Sequence, residues 1–206
     1  MRRVLVALLV ALAAAAPAAA ATVPELASRS DTWLEQTLRV PIPDRPVVAG
    51  TTAEISAGCA PSVGAYRPCI ALAQPDRIIL APTAWRQLVR IAAAPLGARV
   101  NVNLDGLAVL HDQLHSSRDR VDRPLDEGIV DALAVDLLPA WLQKVARVQG
   151  IGRPVPRYPE EVAVVREASA RAAGAPWGSR AARAVRRAWW ALDSDARDAA
   201  VRAALS

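Results

Sequence analysis

Apolar residues recur at helical spacing along most of this chain. In residues 25–40, Leu26, Trp33, Leu34 and Leu38 line one face and predict a helix, with Ser30 or Asp31 as its candidate cap. Prolines at 41, 43 and 46 then break the pattern and predict an extended connection. Two stretches have strand character: residues 47–55 (VVAGTTAEI), rich in β-branched side chains, and residues 77–81 (RIILA), an apolar run between Pro75 and Pro82. Beyond Pro82 the helical period returns. It covers residues 83–94, with Trp85, Leu88, Val89 and Ala92 in phase, then 104–116, 124–148 with an interruption at Pro139, 160–173 and 179–205. Pro124 suits a first helical position, and Asp126 and Glu127 suit the positive end of that helix. In the last segment Val185, Ala188, Trp189, Leu192, Ala196 and Ala199 form an apolar stripe. Arg180, Arg183, Arg186 and Arg187 are expected on the opposite side, and Ser194 with Asp195 is expected to cap a final short helix. The pattern predicts an α+β fold, mostly helical, with a small sheet.

Composition narrows this picture. The chain has 206 residues, 53% hydrophobic and 22% charged, enough for one domain with a sizeable core. Only 4% of residues are aromatic, with six Trp and no Phe, which argues against an all-β sandwich. A mean hydropathy of +0.18 excludes a disordered chain. Arg2 and Arg3, the apolar run 4–16 and the small-residue run 18–21 have the form of a secretory signal peptide. Residues 1–21 are therefore expected to be a leader, and 22–206 a single domain with a C-terminal helical extension. An uncleaved anchor is the competing reading. Cleavage removes two basic residues from a net charge of +5, leaving a balance too mild to imply a nucleic-acid partner. The C-terminal arginines fit either association with an anionic cell envelope or a solvated face.

Export gives the two cysteines, Cys59 and Cys69, an oxidising compartment, and a disulfide closing the turn-rich loop between them is expected. A redox or metal role lacks the C-x-x-C spacing and further cysteines.

The chain contains two histidines, His111 and His115, in the stretch LAVLHDQLHSS. Side chains four apart on a helix share one face, with Cβ atoms about 5–6 Å apart, so both imidazoles can converge on a single ion. The opposing reading is a solvated pair beside the stripe of Leu107, Leu110 and Leu114.

His111-Asp112-Gln113-Leu114-His115 resembles the H-E-x-x-H signature of zincin metallopeptidases, with Asp in place of Glu. The gluzincin branch takes a third ligand, a Glu, from a following helix, and LDEGIVDALAVDLL makes Glu127 the matching residue. The likeness runs from 77 to 138, about a third of the chain. It implies a zincin-like small sheet, an active-site helix, a ligand helix behind it, and a zinc ion (Zn2+) held by His111, His115 and Glu127. Asp112 takes the general-base position. Such a site would hydrolyse peptide bonds through a metal-bound water, the carboxylate accepting its proton.

Further expectations attach to that resemblance. Asp131 or Asp105 is placed to orient a ligand imidazole. Tyr158 could offer its hydroxyl to an oxyanion, or simply be packed. Residues 77–81 are the candidate edge strand for a peptide or protein substrate, with an ordinary core strand as the alternative. The linker from 116 to 126 is shorter than the gluzincin pattern usually has, which leaves Asp122 and Asp126 as alternative third ligands. Asp112 is also one methylene shorter than Glu, about 1.5 Å. A catalytically weakened zincin-fold binding module, or a metal-free helical envelope protein, therefore stands beside the metallopeptidase.

Overall fold

The structure, a computed structural model, describes residues 21–58, 69–116, 124–152 and 155–206, with all side chains in these ranges except those of Leu104, Asp105 and Ser116. Residues 1–20 of the expected leader 1–21, Cys59 and hence the Cys59–Cys69 pairing, Asp122, and the Asp105 side chain lie outside this set. The elements in order are α1 (Val23–Leu38), β1 (Val47–Ala49), α2 (Thr52–Gly58), β2 (Ala71–Ala73), β3 (Ile78–Leu80), α3 (Pro82–Ala93), β4 (Arg99–Asn101) and α4 (Leu104–Ser116). They continue with α5 (Pro124–Trp141), a π-helical turn (Leu142–Ala146), β5 (Gln149–Ile151), α6 (Pro159–Ala173), α7 (Arg180–Trp190) and α8 (Ser194–Leu205). This is a mostly helical α+β fold with a small mixed sheet and C-terminal helices.

Two helix starts follow one local rule that the apolar pattern does not show. Thr22 accepts the Glu25 N–H while the Glu25 carboxylate accepts the Thr22 N–H at 2.7 Å, a capping box that starts α1. Ser30 and Asp31, expected as caps, instead lie buried inside the helix. Thr51 and Glu54 form the same reciprocal pair ahead of α2, at 3.1 and 2.7 Å. The expected strand 47–55 is therefore strand only to Ala49 and helix from Thr52.

In the mixed sheet β3 is central, with β1 parallel on one side and β2 antiparallel on the other. The expectation that 77–81 is an edge is corrected: Ile78, Ile79 and Leu80 are all buried, and an apolar run without alternation belongs to a strand covered on both faces. The edge position beside α4 falls to β2. A separate parallel pair, β4 with β5, joins segments the pattern gave no reason to call strands.

α5 is the central helix and packs against α4, α6, α7 and α8. It is apolar nearly all round, as a helix buried on every side must be. Pro139 lies inside it, and the change of winding comes at Leu142. The C-terminal segment divides into α7 and α8. The second cap is Asp193, whose carboxylate accepts the Ala196 N–H at 2.9 Å, rather than Ser194 with Asp195. Arg186 is also not on a solvated face. It is fully buried, with Nε and Nη2 donating to Asp136 at 2.8 and 2.6 Å and Nη1 to Ser169 at 2.7 Å, because α7 packs against both α5 and α6.

A polar staple ties α1 to α4. Ser30 donates to Gln113 Oε1 at 2.5 Å and accepts from Trp141 Nε1 at 2.7 Å, while Gln113 Nε2 donates to Asp31 at 2.7 Å. Burial, reinforced by the Asp44 charge, pushes the Asp31 carboxyl up from 3.8 to about 7. The folded form thus holds a proton that the unfolded chain releases near pH 3.8, and stability falls as pH rises from about 4 towards about 7. Asp31→Asn keeps the acceptor for Gln113 and cannot ionise. Its urea midpoint is expected to exceed that of the unmodified chain at about pH 8 and to converge with it near pH 4; equal midpoints at both pH values would count against a raised Asp31.

Candidate metal centre

α4 and α5 run against each other at a crossing that sets three side chains face to face. His111 and His115, one turn apart on α4, bring their Nε2 atoms to 3.0 Å with ring centroids 4.6 Å apart. Glu127, in the first turn of α5, places Oε2 at 3.1 Å from His115 Nε2 and 3.3 Å from His111 Nε2. All three residues are buried. Ligand atoms about 2.0–2.1 Å from a tetrahedral zinc lie about 3.3 Å from one another, so the observed triangle has the size of one face of that coordination shell. This His111-Asp112-x-x-His115 cluster with Glu127 matches a variant H-D-x-x-H zincin-like metal-binding motif, and it could hold a divalent metal such as zinc.

The orientation of the triangle is fixed from behind. His111 Nδ1 donates to Asp131 Oδ1 at 2.6 Å, which leaves the Nε2 lone pair facing its partners. The other Asp131 oxygen accepts the Tyr158 N–H at 2.9 Å, and Asp131 is itself buried. Asp131 follows Glu127 by one turn, so one face of α5 supplies both the carboxylate in the triangle and the one that steers an imidazole. Burial opposes charge on His111, yet the Asp131 and Glu127 carboxylates outweigh it and raise its pKa to about 10. For Glu127 burial is likewise outweighed, here by the two histidines, and the carboxyl is held far below its usual range. Both shifts state that this pocket strongly favours positive charge at its centre.

A small cavity opens beside the triangle. His111, Asp112, Glu127, Asp131 and Arg157 form its polar wall, and α4 and the β2 segment its apolar one through Leu107, Ala108, Ile70 and Ala71. Its volume is about 20 Å3, on a scale where one water needs about 10–15 Å3. Asp112 thus faces the same space as His111 and Glu127. Asp126 does not: it is engaged by Ser194 and by Arg197 at 3.3 Å, on the side of α5 that meets α8. Of the alternative third ligands, Asp126 is therefore elsewhere and Asp122 lies outside the described residues.

Tyr158 is buried, its ring nearly parallel to that of His111 with centroids 6.4 Å apart. It meets the site through its backbone N–H on Asp131, while its neighbour Arg157 lines the cavity. Arg157 is a residue the sequence gave no spacing to single out. Comparison with models of known protein families, with curated proteins and with solved structures finds no match to this chain.

The glycine after Glu127 has a geometric reason. A Cβ on Gly128 would lie 2.7 Å from the Glu161 Cβ and 2.9 Å from its backbone carbonyl carbon and oxygen, at the first turn of α6. The bare backbone lets α5 approach α6 and seats Glu127 at its depth. Gly128→Ala is expected to destabilise the fold by about 1–3 kcal/mol, read as a lower urea midpoint. A variant as stable as the original would show that this close approach is dispensable.

Proposed function

We propose that this protein is an exported zinc-dependent hydrolase of the metallopeptidase type, with peptide or protein substrates. The observation that supports it is the triangle of two imidazole nitrogens and one carboxylate oxygen, each 3.0–3.3 Å from the others. The leader pattern at residues 1–21 supports the exported location.

In this reading His111, His115 and Glu127 hold the ion. Zinc, when bound, supplies Lewis acidity: it acidifies water and polarises a carbonyl. The chain's own residues do the rest. Asp131 orients the His111 ring toward the triangle, and Tyr158 holds Asp131 by its backbone N–H. Asp112 faces the cavity as the group that accepts a proton and passes it to a leaving amine. Leu107, Ala108, Ile70 and Ala71 line the remaining wall and limit water at the site.

The purified chain is expected to contain about one zinc per molecule by atomic emission, and His111→Ala to lose it while keeping its helical circular-dichroism signal. No stoichiometric zinc would favour the metal-free envelope protein.

The shorter reach of Asp112 separates an enzyme from a binding module of the same shape. A misplacement of about 1 Å at a catalytic group can cost about a hundredfold in rate. Asp112→Glu is therefore expected to raise turnover of unfolded or peptide substrates by about tenfold to a hundredfold. Zinc retained with no gain would favour the binding module.

A further inference from the structure

Among the described residues Arg157 is a cation with no counter-ion, placed in the wall of a cavity whose other polar residues are His111 and three carboxylates. Other buried arginines of this fold are paired: Arg186 with Asp136 at 2.6 Å and Arg197 with Asp126 at 3.3 Å. Among the described residues Arg157 makes no ion pair. Its guanidinium carbon stands 5.1 Å from the centroid of the Tyr158 ring, and Nη1 comes only to 3.8 Å from Cys69 Sγ. Its Nε is buried with no hydrogen-bond partner. A buried N–H left unmade costs about 1–3 kcal/mol, so a group held this way is poised for an acceptor that arrives from outside the fold.

The carboxylates of the same wall have other engagements. Asp131 is taken by His111 and the Tyr158 N–H, and Glu127 by the two histidines. The Nε edge of a guanidinium offers two parallel N–H groups, a fork that matches the two oxygens of a carboxylate. Arg157 is half-buried on a flexible stem, so it can turn as an anion enters a cavity that holds only about one water.

We propose that Arg157 is a specificity-determining residue that receives a carboxylate of the substrate, so that the metal centre acts on peptides bearing an anionic group close to the bond to be cut. This rests on the metal reading given under the proposed function. The carboxylate could be a free chain terminus or an acidic side chain, and the two sources are separable.

Cobalt-loaded protein is titrated with mercaptoacetate and mercaptopropionate and with their uncharged amides, the thiolate–cobalt absorption serving as the readout. The acids are expected to bind about tenfold or more tightly than the amides. Arg157→Gln is expected to bring that ratio to about one with cobalt still bound, and Arg157→Lys to keep part of it. Competition by a short peptide with a free C-terminus, its C-terminal amide, and an amide carrying a Glu side chain then identifies the source. Equal binding of acids and amides, or a preference that survives in Arg157→Gln, overturns the assignment of Arg157 alone. Absence of a cobalt spectrum overturns the metal centre and the assignment together.

Discussion

Two imidazole nitrogens and a carboxylate oxygen lie buried within 3.0–3.3 Å of one another, and the support this cluster needs organises the fold around it. Lone pairs brought this close repel unless a proton or a cation lies between them, and burial removes the water that would otherwise screen them. The cation can be a proton or a metal ion, and the geometry suits the larger partner because the triangle matches a tetrahedral face. Holding such a cluster in place needs rigid support. Asp131 supplies it for one ring, Tyr158 supplies it for Asp131, and the contact of Gly128 with Glu161 sets how deeply Glu127 reaches. Each of these lies on α5 or at the start of α6, and α5 runs through the middle of the molecule with most of its remaining surface apolar.

α4 meets the same demand from its other side. Within the five residues from His111 to His115, His111, Asp112 and His115 belong to the site, whereas Gln113 and Leu114 face away from it. Leu114 enters the core, and Gln113 joins Ser30 and Asp31 of α1 and, through Ser30, Trp141 at the end of α5. A glutamine buried this deeply must have its amide satisfied, and Ser30, Asp31 and the Ala27 carbonyl of α1 do so. The staple thereby fixes the rotation of α4 about its axis, on which the direction of both histidines depends.

The sequence made some of this legible and hid the rest for physical reasons. Helical period located α4 to the residue, because Leu107, Leu110 and Leu114 mark a one-sided burial, and the spacing of the two histidines pointed to convergence whatever the sheet looked like. Glu127 was reached through resemblance. The apolar pattern marked α5 as a helix but not which of its carboxylates face the site, because a helix buried nearly all round has no single inner face; Asp126, Glu127 and Asp131 look equivalent until packing gives Asp126 to Arg197 and Asp131 to His111. The strands were the weakest part. Three-residue strands are too short to alternate, and β4 pairs with β5 across almost fifty positions, a contact that no local pattern records. Ser30 and Arg186 erred in the same direction: each polar side chain was assigned to solvent or to a cap, and each is buried with partners contributed by distant helices.

The Asp in place of Glu at position 112 gains its meaning from this rigidity. The Cβ of residue 112 is fixed by a helix that Gln113 and the leucines hold on the opposite face, so the backbone cannot slide to restore the missing reach. The Asp112 carboxylate is about 1.5 Å shorter than that of Glu, and it lines a cavity with room for about one water. In the proposed reading, a base held farther from the metal-ligand triangle would work more slowly without losing its role. In the reading proposed above, the length of this one side chain separates a fast hydrolase from a slow one or from a site that only binds, with the same three candidate ligands in every case.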